Sequence, residues 1–227
     1  MARTAGVVAG ALFWLAAALL LSILIEWAGL TWVWPEEGVA HSRDMIEAEV
    51  GYLDRDFRRS VMTSDPARFA VAFADAGYHY LFEVTGLLAL LRWAEQDPAT
   101  TNSKLQPYVH RLITPVSTYI IAAMTITQVF AVRLAILVLA LPTFVLAGLV
   151  GLTEGLVRRD LRRWGGGRES SFLYHHARRT VVPLFVAAWV LYLALPFSLH
   201  PSFIILPFAA LFGLSIAVTV GAFKKYL

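Results

Sequence analysis

VRRDLRRWGGGRESSFLYHHARRT, residues 157–180, is the stretch that decides how this chain is built. Its seven arginines, Arg158, Arg159, Arg162, Arg163, Arg168, Arg178 and Arg179, stand against two acids, Asp160 and Glu169, a local balance of +5. Long apolar runs lie on both sides. Lys and Arg close to the ends of apolar spans resist translocation, so a segment this basic marks a cytoplasmic connector. The composition agrees. The 227 residues are 58% hydrophobic, above the roughly 45–50% of soluble domains, and the mean hydropathy is +0.64. The expected class is an all-α integral membrane protein. With no cysteine in the chain, a disulfide framework, a thiolate metal site and a thiol nucleophile are all excluded.

Outward from the connector, the apolar runs resolve into spans. Gly6 to Ile25 is long enough to cross a bilayer. Arg3 precedes it, and Trp27, Trp32 and Trp34 follow it at the far interface. The run is longer than the h-region of a signal peptide, so a retained first span with its N-terminus inside is expected. After Pro35-Glu36-Glu37-Gly38, Ser42 is expected to cap a helix with an apolar stripe of Ile46, Val50, Leu53, Phe57 and Val61. Asp65-Pro66 signals a second helix start, with Asp65 as N-cap and Pro66 at the first helical position. That helix is expected to reach about Gln96, ahead of a polar loop from Ala99 to Gln106. Residues 35–111 carry twelve acids and eight bases.

From Leu112 to Leu152 the chain is nearly all apolar, broken by Arg133. One helix over this run is about 60 Å long at 1.5 Å per residue, twice the hydrocarbon thickness. A hairpin at Arg133 has no Gly, Pro, Asn or Asp between Val129 and Ala135 to turn on. The favoured reading places one span from about Leu134 to Leu156, with the preceding half outside the membrane against the two earlier helices. Val181–Pro196 and Phe203–Phe223 form the closing spans. Four transmembrane helices plus an extracytoplasmic helical domain result: a first span in 1–34, an extracytoplasmic helical region in 35–132, a second span in 133–157, the basic cytoplasmic loop in 158–180 and a hairpin in 181–227 ending at Lys224-Lys225. Both termini are then cytoplasmic. The alternative has five spans.

Several side-chain groups invite a chemical reading. Asp75, His79 and Glu83 recur at i, i+4 and i+8 on one helix face. The outer two are about 12 Å apart along the axis, too far for one ion whose ligands sit near 2 Å, so a polar face is the simpler reading. Glu26 and Arg133 close and open adjacent spans and are expected to pair. Glu154 and Arg158 have the order that favours an i,i+4 pair. Gly6–Gly10 and Gly151–Gly155 are G-x-x-x-G pairs that permit close helix packing or a homo-oligomer. Neither a G-x-S-x-G elbow nor a P-loop occurs. Catalytic, metal and cofactor residues are therefore expected to be absent. The candidate partner-binding set is the seven arginines with Glu169, Tyr174, His175 and His176. Its arginines suit lipid head groups or an acidic protein, and leave direct nucleic-acid contact open.

Four blocks, TQVFAVRLAILVLALPTF (127–144), GLTEGLVRRDLRRWGGGRESSFLYHHARR (151–179), LPFSLHPSFIILP (195–207) and FKKYL (223–227), resemble the integrating conjugative element membrane protein family. The resemblance covers residues 127–227. It implies a non-enzymatic bacterial inner-membrane component of conjugative DNA transfer. Genes of this family tend to sit beside those of the coupling ATPase and the relaxase, so the coupling ATPase is the implied partner. No catalytic residue carries over. The rival reading is a small transporter or membrane enzyme using Asp75, His79 and Glu83.

Overall fold

The computed structural model describes residues 2–56, 63, 65–96, 106–113, 116–164 and 171–223. Among them every regular element is helical. The order is α1 (Ala2–Ala28), α2 (Ala40–Asp56), α3 (Pro66–Tyr78), α4 (Leu87–Glu95), α5 (Gln106–Ile113), α6 (Ser117–Trp164), α7 (Ser171–Ala194) and α8 (Ser202–Gly221). Two π-helical turns, Gly29–Val33 and His79–Glu83, extend α1 and α3. Four helical stretches are long and apolar enough to cross a membrane: Ala9–Val33, Ser117–Arg162, His176–Ala194 and Ser202–Gly221. Prolines inside α6, α7 and α8 (Pro142, Pro183, Pro207) are of the kind transmembrane helices tolerate, because neighbouring groups re-satisfy the freed carbonyls.

The chain divides into two compact units. The first comprises Met1–Ala135 with Leu193–Ser198, and the second Ile136–Tyr192 with Leu199–Leu227. In the first unit Met45, Ile126 and Val129 form a buried cluster, with Ile23 and Ile46 packed against it. Trp27 Nε1 donates to Tyr119 O at 2.8 Å, tying the end of α1 to the start of α6. The N-cap at Asp65 forms as expected, its carboxylate accepting from the Arg68 amide at 3.0 Å with Pro66 first in α3.

Three local expectations are corrected here. Ser42 does not cap α2, which begins two residues earlier at Ala40; its hydroxyl instead donates back to Val39 O at 3.1 Å. The buried stripe of α2 is Ser42, Met45, Glu49 and Leu53, turned about one residue from the all-apolar stripe, with Ile46 and Val50 only half-buried. Phe57 and Val61 lie outside the described residues, as do residues 99–105 of the polar loop. The helix after Asp65 does not run unbroken to Gln96. It widens into the π-turn and stops at Gly86, whose φ of +76° only glycine adopts without strain. By contrast α6 passes straight through Arg133 without a turn, which removes the hairpin of the five-span alternative.

In the second unit α6 and α8 meet through small residues. A Cβ built on Gly151 would run into Gly213 O. One on Gly155 would lie 2.7 Å from Ala217 O, and one on Gly213 2.6 Å from Ala147 O. Phe144, Phe185 and Phe212, one from each of α6, α7 and α8, pack edge-on or tilted with centroids 5.2–6.0 Å apart. The Gly151–Gly155 pair is thus used inside the chain, whereas nothing approaches within 4 Å of where a Cβ on Gly6 or Gly10 would sit. Gly151→Val is expected to cost about 1–3 kcal/mol or more through overpacking against backbone, and Gly6→Val next to nothing. Thermal unfolding midpoints of the two variants in one detergent measure the difference, and equal midpoints would contradict the α6–α8 contact.

Candidate functional site

Arg133 lies in the middle of α6, 2% exposed. A charge this deep needs a counter-ion and full use of its donors. The inward face of α2 supplies the counter-ion: Arg133 Nε donates to Glu49 Oε1 at 2.8 Å, and Glu49 is itself fully buried. The other donors reach the connection between α7 and α8. Pro196 prevents α7 from continuing, and a helix end leaves carbonyls without intrahelical donors. Arg133 Nη1 donates to Leu195 O at 2.5 Å and Nη2 to Phe197 O at 2.9 Å. Ser22 Oγ of α1 donates to Leu193 O at 2.9 Å, and Ser198 Oγ donates to Met45 O at 3.3 Å. Side chains of α1 and α6, with backbone of α2, therefore bind one six-residue segment, and the guanidinium's planar fork is what permits three acceptors at once.

Beside it sits a second acid. Glu26 is 1% exposed, and neither carboxylate oxygen has a hydrogen-bond partner among the described residues. The nearest ring is His41, with Nε2 3.9 Å from Oε2. His41 is stacked on the Trp34 ring at 4.1 Å. Its Nδ1 lies 3.1 Å from Glu37 Oε2 and its Nε2 3.0 Å from Pro196 O. Both oxygens only accept, so a neutral ring donates to one of them and an imidazolium to both. Glu26, Ser22, Met45 and Arg133 share the wall of a cavity of about 10 Å³, the scale of a single water. The cluster acts as a staple between the helices it joins.

The ion pair expected between Glu26 and Arg133 is not the one formed. Both residues face the same small cavity, but Glu49 holds the better position because α2 presents it one turn from Met45 and one from Leu53, both buried. Sequence reasoning missed Glu49 by setting the stripe of α2 one residue away. A lone carboxylate at i+4 from Met45 and i−4 from Leu53 was the available signal. Nothing in the residue types marked the carbonyls of 193–198 as acceptors.

The remaining candidate residues fall elsewhere. His79 and Glu83 pair with each other at 2.6 Å on an exposed surface, with Asp75 exposed nearby. No group of three or more His, Asp or Glu among the described residues is placed to hold a metal. Glu154 and Arg158 form the expected pair at 2.7 Å. The basic stretch is helical at both ends: Arg158, Arg159, Arg162 and Arg163 belong to the last turns of α6, and Tyr174 to Arg179 to the first turns of α7. Arg162 donates to Gly221 O at the end of α8. Arg158, His176, Arg178 and Arg179 are exposed. Gly165 to Glu169, Arg168 included, lie outside the described residues.

Residues 33–224 match the DtrJ-like family, described as IncC plasmid conjugative DNA transfer protein DtrJ-like. No curated protein and no solved structure matches the chain. The match covers most of the chain, which therefore belongs to the DtrJ-like family and to conjugative DNA transfer. It supports the conjugative part of the resemblance above, through a plasmid transfer family rather than through an integrating element.

Removing one partner of a buried ion pair costs about 3–5 kcal/mol, because the other charge stays behind. Arg133→Met and Glu49→Met are each expected to lower the thermal midpoint of the detergent-solubilised protein strongly. The double variant should lose clearly less than the two losses added together. Arg133→Lys should fall between, since a point charge cannot reach three acceptors. Additive losses would mean that the two residues act separately.

Proposed function

We propose that this member of the DtrJ-like family is a non-enzymatic, multi-pass component of the bacterial inner membrane that docks the conjugative coupling ATPase. The observation that carries the reading is the crowding of exposed arginines at the end of α6 and the start of α7, next to spans that need a lipid bilayer. Basic surface at a span end favours the cytoplasm, where the ATPase works. Both termini are then cytoplasmic and residues 35–132 extracytoplasmic. The bilayer takes α6 from about Leu134 to Leu156, since the helix at 48 residues is about 72 Å long and the hydrocarbon only about 30 Å thick. Arg133, neutralised by Glu49, then stands at the outer edge. The arginines meet acidic protein surface, which steers encounter and fixes register; lipid heads compete for some of them.

The chain has no native cysteine, so sidedness is directly measurable. In intact cells Asp75→Cys is expected to react with an impermeant thiol reagent, and Gly166→Cys only after permeabilisation. Reaction of both from one side would overturn the four-span arrangement. After crosslinking in membranes, wild-type protein should capture the coupling ATPase, and Arg178→Glu/Arg179→Glu should capture less and lower conjugation frequency on the order of tenfold, as loss of charge pairs predicts. Failure of the wild type to capture it would end the docking reading. Loss of transfer in Asp75→Ala, His79→Ala or Glu83→Ala with assembly intact would favour a transporter or enzyme.

A further inference from the structure

In the second unit, α6, α7 and α8 leave an open groove of about 450 Å³. Leu141, Val145, Leu149 and Leu152 of α6, Phe185 of α7 and Phe212 of α8 line it, and no charged side chain does. On α6 these positions run over twelve residues, eleven steps and about 16 Å of axis. The next position on the same face is Arg159, seven residues beyond Leu152 and therefore within about 20° of it around the helix. Helical side chains lean back toward the N-terminus, so Arg159 leans toward the mouth of the groove.

Arg159 differs from its neighbours. Arg158 is engaged by Glu154 and Arg162 by Gly221 O. Arg159 Nε is buried and has no hydrogen-bond partner; its nearest carboxylate oxygen, on Asp160, is 3.8 Å away, beyond hydrogen-bond range. A buried guanidinium N–H without an acceptor is costly. The rest of the guanidinium is open, the side chain being 35% exposed, so an acceptor arriving from outside reaches its terminal nitrogens; one that carries negative charge and is attached to an apolar chain suits both the arginine and the groove.

We propose that this groove and Arg159 form a binding site for one anionic phospholipid, the acyl chain lying along Leu141–Leu152 and the phosphate accepting from Arg159. The two halves reinforce each other. The acyl chain gains close packing against the groove, since the bilayer it leaves is as apolar as the groove, and a charge-assisted hydrogen bond is stronger than a neutral one. The surplus of arginine at this end of α6 selects a lipid of net negative charge over a zwitterionic one. The site is independent of the ATPase docking proposed above and holds for either orientation of the chain.

The full chain, purified from bilayers containing phosphatidylglycerol or only phosphatidylcholine, tests this by native mass spectrometry of retained lipid. Phosphatidylglycerol should be retained on the order of tenfold better: both lipids offer a phosphate, but the choline cation of phosphatidylcholine offsets the attraction of that phosphate to Arg159. Arg159→Gln should abolish that preference and Arg159→Lys keep most of it. Leu149→Trp, which fills the groove, should reduce retention of both lipids, whereas Arg178→Gln should change nothing. Equal retention of the two lipids, or an equal effect of Arg159→Gln and Arg178→Gln, would overturn the site. So would Leu149→Trp dissociating a dimer while leaving lipid bound, since a helix of a second copy would then be the occupant. Arg159→Lys guards against a folding artefact, because it keeps the charge at the same position.

Discussion

A guanidinium with no access to water organises the first unit. Arg133 arises in the middle of a long apolar helix, where an unpaired charge would cost several kcal/mol. Its burial is tolerated because Glu49 neutralises it and the carbonyls of Leu195 and Phe197 accept from its two terminal nitrogens. The consequence runs both ways. The arginine needs acceptors that a helix cannot offer, and the α7–α8 connection has carbonyls that its own helices cannot satisfy. Each defect is the other's remedy, so a residue that looks disruptive in α6 becomes the tie between segments about sixty positions apart in the chain.

The second unit relies on the opposite device. Where Arg133 works by charge and hydrogen bonding, Gly151, Gly155 and Gly213 work by having no side chain at all. In lipid the hydrophobic effect does not drive helices together, so close backbone approach and dispersion must do so. The edge-on phenylalanines fill the remaining space beside that contact. The same helix thus uses polar chemistry in the residues of one unit and steric economy in those of the other.

Membership of a conjugative transfer family gives these devices a setting. The end of α6 and the start of α7 present Arg158, Arg178 and Arg179 at the surface. The cavity by Glu26 is too small for a substrate, and the polar triplet around His79 lies on open surface.

The residue pattern by itself determined the all-helical class, the four apolar stretches and the start of α3 at Pro66. Those follow from local rules: window hydropathy, periodicity and the chemistry of an Asp-Pro cap. It also marked the arginine-rich stretch 157–180. The pairing of Arg133 was decided only by tertiary structure. Glu26 and Glu49 are both acids within reach of a helix end, and a one-residue rotation of α2 separates the partner from the bystander. The break at Gly86 and the acceptor carbonyls of 193–198 were likewise settled by packing. Backbone carbonyls are common to every residue type, so no pattern of side chains can say which of them will be left for an arginine to find.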